Sequence, residues 1–243
     1  MKIKSYEAEE DIYQIPKESE NQNSKRSYEA EDLYEFPEKL SSEQKKQLAK
    51  YLDKTPKFAK INFEKGYKEL RKKFTNEEDA NEAFLAIFSN DKDTMVKSFR
   101  KCNVMPKDIA IFWSGEKALK AATHYALKKG CKIITHTPMG FLFMSWQWYN
   151  RELTADGKFW DKIDKGVSSK PLWQALSQVY SEKCKSVEKV IAFITEDKFK
   201  DGNTIWNKIE KPTLEENKIS YDLYIIPTTA NPIDICNQAI SES

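Results

Sequence analysis

An alternation of short apolar runs with helical stretches between residues 108 and 227 limits the possible folds of this chain more than any other feature. The stretch GEKALKAATHYALKKG ends at Gly130, a residue suited to closing a helix, and KPLWQALSQVYSEKCK predicts a second helix. Strands that alternate with helices pair in parallel through crossover connections. The runs predicted as strands are DIAIFW (108–113), CKIITHT (131–137), VEKVIAFIT (187–195) and ISYDLYIIP (219–227).

The sequence before residue 106 has a helical pattern. Ser41 with Gln44, and Thr75 with Glu78, have the spacing of a capping box, in which two side chains satisfy free N–H groups at the start of a helix. We therefore predict an α/β protein with a mostly helical subdomain at 41–105 and a small parallel-sheet, Rossmann-like subdomain at 106–243. The segment NEEDANEAFLAIFS supports the first, because it places five apolar residues on one helix face: Ala80, Ala83, Phe84, Ile87 and Phe88.

Residues 1–40 repeat one acidic phrase, first as SYEAEEDIYQIP and then as SYEAEDLYEFP. From Met1 to Lys39 the chain has 6 Lys or Arg against 11 Asp or Glu, and each copy closes with a proline. Such a segment cannot bury enough apolar surface to offset the entropy of ordering it. We predict a disordered leader.

The tyrosines of this leader resemble substrates of Src-type tyrosine kinases. Tyr13 and Tyr34 each follow an acidic and an aliphatic residue and precede a proline by three positions, and Tyr6 and Tyr28 are weaker versions. A phosphorylated tyrosine offers SH2 domains a charged anchor for an arginine, and two copies raise avidity. The leader therefore predicts a tyrosine kinase and SH2-domain proteins as partners.

Composition excludes several classes of function. The net charge of +2 is too small to indicate nucleic acid as a partner. Four separate cysteines and two histidines, without any paired spacing, predict no metal site. The chain has no apolar signal region and no 18-residue apolar run, which predicts an intracellular protein without a transmembrane segment.

Four sequence blocks stand out in the second half of the chain: IFWSGEKAL (111–119), IITHTPMGFLF (133–143), LWQALSQVYSEKCKSVEKVIAFIT (172–195) and NTIWNKIEKPTLEEN (203–217). Their order, and the separation of 37 positions from Trp173 to Glu210, resemble the ADP-ribosyl cyclase and cyclic ADP-ribose hydrolase family. The resemblance spans about residues 105–227, roughly half the chain. It implies an enzyme that cleaves the nicotinamide–ribose bond of NAD, with NAD as substrate and no cofactor.

The resemblance also implies a role for individual residues. Glu210 matches the catalytic glutamate, and Trp113 and Trp173 match two pocket tryptophans. Ser177 and Thr204 match positions that contact the phosphates or the reacting ribose. Thr135 and His136 stand where the family carries an acidic pair that influences cyclisation against hydrolysis, so the product stays open, and both are candidates for contacting the nicotinamide carboxamide.

These roles fit the chemistry of glycosidic cleavage. A carboxylate near the ribose stabilises the oxocarbenium-like transition state, and indole faces hold the leaving ring. Water then gives ADP-ribose, whereas attack by the adenine gives cyclic ADP-ribose.

Two alternatives stay open beside this reading: a catalytically inactive scaffold for phosphotyrosine docking, and a protein ADP-ribosyltransferase. Tyrosine repeats of this kind occur in bacterial effectors. The hypothesis is therefore an NAD-consuming effector that a bacterium secretes into host cytoplasm without a cleaved signal peptide.

Overall fold

The structure is a computed structural model that describes residues 36–52, 64–89, 91–102, 108–137, 140 and 169–242. The predicted leader lies outside these ranges up to residue 35, and so do Tyr6, Tyr13, Tyr28 and Tyr34. No helix in these ranges is long and apolar enough to cross a membrane. Within the same residues, no group of three His, Cys, Asp or Glu side chains could hold a metal ion.

Four helices come first: α1 (Ser42–Leu52), α2 (Glu64–Arg71), α3 (Glu77–Ser89) and α4 (Lys92–Phe99). The capping box of α1 is confirmed, because the Ser41 N–H donates to Gln44 Oε1 at 2.9 Å and the Gln44 N–H donates to Ser41 Oγ at 3.2 Å. The box predicted for α3 is wrong by one residue. Asn76 caps α3 instead, since its Oδ1 accepts from the Asp79 N–H at 2.7 Å.

The second half contains a four-stranded sheet in which all neighbours are parallel. Its strands are β1 (Ile109–Ser114), β2 (Lys132–Ile133), β3 (Lys189–Thr195) and β4 (Asp222–Ile226), in the order β2-β1-β3-β4. The prediction of a mixed α/β protein with a small parallel sheet is therefore confirmed. Because the order turns between β1 and β3, the carboxyl ends of these two strands form the switch point where α/β sheets bind ligands.

Strand β2 is shorter than the predicted run of 131–137. Ile134–His136 form a 3₁₀ turn instead. The Thr137 hydroxyl closes this turn by donating to the Ile134 carbonyl at 2.7 Å, and the Thr137 N–H donates to the same oxygen at 3.1 Å. Residues 134–136 therefore form a turn where the sequence predicted the end of a strand.

Helices cover both faces of the sheet. Helix α5 (Glu116–Lys129) and helix α9 (Pro232–Ser241) cover the face of Ile111, Ile191 and Phe193. Helix α6 (Ser169–Lys183), helix α8 (Lys211–Glu216) and the N-terminal helices share a core with Phe112 and Ile194 on the other face. As predicted, Gly130 ends α5, with a left-handed φ of 67°.

The N-terminal helices and the sheet share one hydrophobic core, which runs from Leu40 to Leu214 in sequence. Helix α4 packs along α6, and the Arg100 guanidinium donates to both carboxylate oxygens of Glu182 at 2.8 and 2.6 Å. The subdomain boundary near residue 105 stays a prediction. A short helix, α7 (Glu196–Lys200), follows β3 and leads towards the segment of Glu210.

Candidate active site

Glu210 is a buried carboxyl group at the end of an unusual turn. Residues Trp206–Glu210 form a single π-helical turn directly before α8, and such turns are rare and often found at functional sites. The Glu210 side chain is only 6% exposed. Burial raises its pKa to about 7, against a smaller lowering effect of the hydrogen bond from Ser177. Glu210 therefore changes charge near neutral pH.

Helix α6 presents Ser177 to this carboxyl. Trp173 lies four residues earlier on α6, so the two side chains lie on the same face of the helix. Ser177 is 5% exposed, and Trp173 is half-buried against the larger core. The structure thus brings Ser177 and Glu210 together and places Trp173 one turn of helix away.

Two further groups lie near Glu210, and sequence reasoning missed both: Tyr180 on α6, and Cys184, which directly follows the last residue of α6. Tyr180 is fully buried and its hydroxyl accepts a hydrogen bond from the Ile111 N–H at 3.3 Å. Burial raises the pKa of Tyr180 and of Cys184, and the charge of Glu210 raises both further. Spacings of three and seven residues after Ser177 are the signal that would have found them, because they put all three on one helix face.

Trp113 lies on the other side of the sheet. It is the penultimate residue of β1, pairs with Phe193 of β3 and packs against the core covered by α5 and α9. Its indole Nε1 is buried and has no hydrogen-bond partner among the described residues. The two tryptophans that the family resemblance assigns to one pocket therefore pack against different faces.

The carboxyl ends of β1 and β3 meet very closely. Gly115 has a φ of 97° and a ψ of 156°, a region that only glycine adopts readily. A Cβ at this position would overlap the side chain of Thr195. The Thr195 hydroxyl in turn donates to Asp197 Oδ1 at 2.5 Å and lies 3.4 Å from the Ser114 carbonyl. This contact explains the glycine that follows Trp113 in the FWSG block.

The remaining predicted site residues lie apart from Glu210 or have local roles. Thr135 is half-buried and His136 is exposed, both in the 3₁₀ turn after the outer strand β2. The Thr204 hydroxyl accepts from the Asn207 N–H at 3.1 Å and so caps the π-turn. Within the described chain, no hydrogen bond or ion pair joins these three residues to Ser177 or Glu210. Their proposed roles towards NAD stay predictions.

A shallow polar depression of about 270 Å³ lies at the opposite, amino edge of the sheet. It is lined by the end of α6, the start of β3 and the loop before β4, including Cys184, Lys185 and Lys218. Ligands of parallel sheets bind at the carboxyl edge instead. The depression therefore lies away from the switch point of β1 and β3, although Cys184 both lines it and interacts with Glu210.

Comparisons with known proteins give one structural neighbour of note. No protein-family model and no curated protein matches the sequence. Among solved structures, the chain is similar to one of CD38 from work on its catalytic mechanism and a conformationally flexible covalent enzyme–substrate complex. The sequences are 14% identical, the match covers 83% of this chain and 88% of that chain, and the TM-score is 0.39. A similarity of this size carries no argument about activity, so the proposal below rests on the residues.

Proposed function

We propose that this protein consumes NAD, cleaving the nicotinamide–ribose bond to give ADP-ribose, cyclic ADP-ribose or both. The observation that carries the proposal is the buried Glu210 carboxyl, hydrogen-bonded by Ser177, which lies one turn of α6 after Trp173. A glutamate is rarely buried without a charged partner unless function requires it. The resemblance of the sequence blocks supports the same role, because Glu210 matches the catalytic glutamate of that family.

The environment of Glu210 suits the chemistry of this reaction. Cleavage develops positive charge on the ribose, and a carboxylate in a dry site stabilises that charge more strongly than one in water. The nicotinamide of NAD is itself cationic, so its approach favours the ionised form of Glu210. Ser177 hydrogen-bonds to the carboxyl and holds its orientation. The indole of Trp173 offers a face for the leaving ring.

Incubation of the purified full chain with NAD tests this proposal, with chromatographic separation of nicotinamide, ADP-ribose and cyclic ADP-ribose. We expect nicotinamide release that Glu210→Gln abolishes. Glu216→Gln is the matched control, because Glu216 is an exposed glutamate on the adjoining helix α8. Full activity in Glu210→Gln, or equal losses in both variants, would refute the role of Glu210. The second product separates a hydrolase from a cyclase, and ADP-ribose attached to protein would indicate a transferase.

The leader forms a second part of the proposal. The duplicated phrase around Tyr13 and Tyr34 supports phosphorylation by a host tyrosine kinase and docking to SH2-domain proteins, with Tyr6 and Tyr28 as secondary sites. In this proposal the enzyme acts in host cytoplasm after secretion by a bacterium. Treatment with a Src-type kinase, followed by binding to isolated SH2 domains, is the test. The variant with Tyr13 and Tyr34 changed to Phe should lose most of its binding to SH2 domains. If the kinase does not phosphorylate the wild-type protein, the proposal of phosphotyrosine docking is refuted.

One observation favours an inactive scaffold as the second candidate. Trp113 packs against the core covered by α5 and α9, whereas Trp173 packs against the core on the other face of the sheet. A scaffold would keep SH2 binding and release no nicotinamide. The NAD assay and the SH2 assay together therefore distinguish the two candidates.

A further inference from the structure

Trp206 opens the π-turn that ends at Glu210, and its side chain is anchored in the core. The indole is fully buried, lies 5.9 Å from the ring of Phe112 on β1 and meets the ring of Tyr221 edge-on at 5.4 Å. Its Nε1 has no hydrogen-bond partner in the described chain. The turn is closed by the Lys211 N–H, which donates to the Trp206 carbonyl. Trp206 thus fixes the first residue of the turn against the sheet.

The next residue holds the same turn from outside. The Asn207 side-chain amide donates to the carbonyls of Asp201 at 2.7 Å, Lys198 at 3.2 Å and Phe199 at 3.4 Å. These three carbonyls belong to α7 and the loop after it. Trp206 therefore holds the turn by packing in the core, and Asn207 holds it by hydrogen bonds to α7 and the loop after it.

The end of the turn is also fixed by the chain. Pro212 follows Glu210 by two residues and has no N–H to donate to the Lys208 carbonyl, so a regular α-helical ladder cannot run through this point. A wide turn is compatible with that missing bond. The position of this turn sets where the backbone of Glu210 lies, and the Ser177 hydrogen bond orients its carboxyl.

We propose that Trp206 and Asn207 are positioning residues for Glu210, holding the π-turn so that the carboxyl stays out of water and against Ser177. The inference rests on the proposed function for its relevance to catalysis, because it concerns the same carboxyl. The groups that interact with Glu210 are Ser177 and Tyr180 of α6, and Cys184 directly after that helix. No lysine or arginine in the described part of the chain pairs with Glu210. The burial of its carboxyl, and therefore the position of the π-turn, sets its surroundings.

The test follows the carboxyl itself by ¹³C NMR of the full chain labelled at glutamate. A signal that titrates near pH 7 and is missing in Glu210→Gln belongs to Glu210. In Trp206→Phe and in Asn207→Ala we expect its midpoint to fall by at least about one pH unit, a tenfold change in the proton affinity. Asn207 is partly exposed, so its variant stays informative if Trp206→Phe folds poorly.

A buried aromatic elsewhere gives the control. Phe193→Leu removes a fully buried ring from the opposite face of the sheet, so it should lower stability and leave the midpoint of Glu210 unchanged. A midpoint that stays near pH 7 in both Trp206→Phe and Asn207→Ala would overturn the inference and make Trp206 an ordinary core residue. An equal fall in Phe193→Leu would overturn it as well, since any loss of packing would then suffice.

The NMR readout is independent of turnover. If wild-type protein releases no nicotinamide while the midpoint moves as expected, the proposed function fails and the positioning role stands. If the enzyme is active and the midpoint does not move, the positioning role fails alone.

Discussion

Replacing Glu210 with glutamine should stabilise the protein at high pH and have little effect at low pH. The native carboxyl is buried and its pKa is raised to about 7 from the ordinary value of 4.5, mainly by burial. The folded state therefore prefers the protonated form. The stability that this preference contributes is fully present below pH 4.5 and is lost as the pH rises through 7. Glutamine carries no charge at any pH, so the variant escapes this loss.

The size of the effect follows from the two pKa values. They differ by about 2.5 pH units, which corresponds to about 3 kcal/mol in the free energy of unfolding at alkaline pH. Roughly 2.5 kcal/mol of this falls between pH 5 and pH 8. For a chain of this length, this difference corresponds to about 5 to 10 °C in Tm. Between pH 5 and pH 8 the Tm of the variant should therefore rise by this amount relative to that of the wild type.

Urea unfolding of both proteins at pH 5 and pH 8 measures this difference. The wild type and Glu210→Gln should have similar stability at pH 5, and the variant should be more stable at pH 8. Other groups titrate equally in both proteins, so they cancel in the comparison. Glu216→Gln, on the exposed side of α8, should show no pH-dependent difference. A constant difference between wild type and Glu210→Gln at both pH values would mean that the Glu210 carboxyl is hydrated, and would refute the reasoning.

Three further predictions concern activity and the switch point of the sheet. If Glu210 reacts as the carboxylate, kcat/KM for NAD should rise with pH and level off above an apparent pKa near 7, as a pH–rate profile would show. Ser177→Ala removes the hydrogen bond that lowers the pKa of Glu210, so the acidic limb of that profile should move to higher pH, and an unchanged limb would contradict the contact. Gly115→Ala should cost about 2 to 4 kcal/mol, measured by urea unfolding, because an alanine strains the backbone and meets Thr195. Gly202→Ala is its control and should be nearly neutral, since a Cβ there meets nothing within 4 Å.

The burial of Glu210 has a general consequence for the enzyme hypothesis. A carboxyl that destabilises the fold at neutral pH and above is retained only where it serves another purpose. The proposed reaction supplies such a purpose, because the same poorly solvated carboxylate interacts strongly with a cationic transition state. Stability and activity should therefore respond to Glu210→Gln in opposite directions.

Local sequence patterns predicted the elements well but missed some of their ends. The four strand runs and the helix that closes at Gly130 all form. The predicted strand over 131–137 ends early, because the Thr137 hydroxyl closes a 3₁₀ turn that periodicity does not reveal. The cap of α3 moved from Thr75 to Asn76, since both residue types accept hydrogen bonds from free N–H groups.

The sequence by itself determined the fold class and the alternation of strands and helices, because these depend on short-range periodicity that can be read along the chain. It offered Glu210 as a candidate only through the family resemblance of the block around it. Only the tertiary structure decided that Glu210 is buried beside Ser177, since most glutamates of this kind are exposed and burial depends on elements distant in sequence. It also decided that Trp113 and Trp173 pack on opposite faces. The alternation of side chains along β1 puts Trp113 on the face opposite to Phe112. Which face α6 and its Trp173 cover depends on how the chain crosses between strands, and that is a property of the whole sheet.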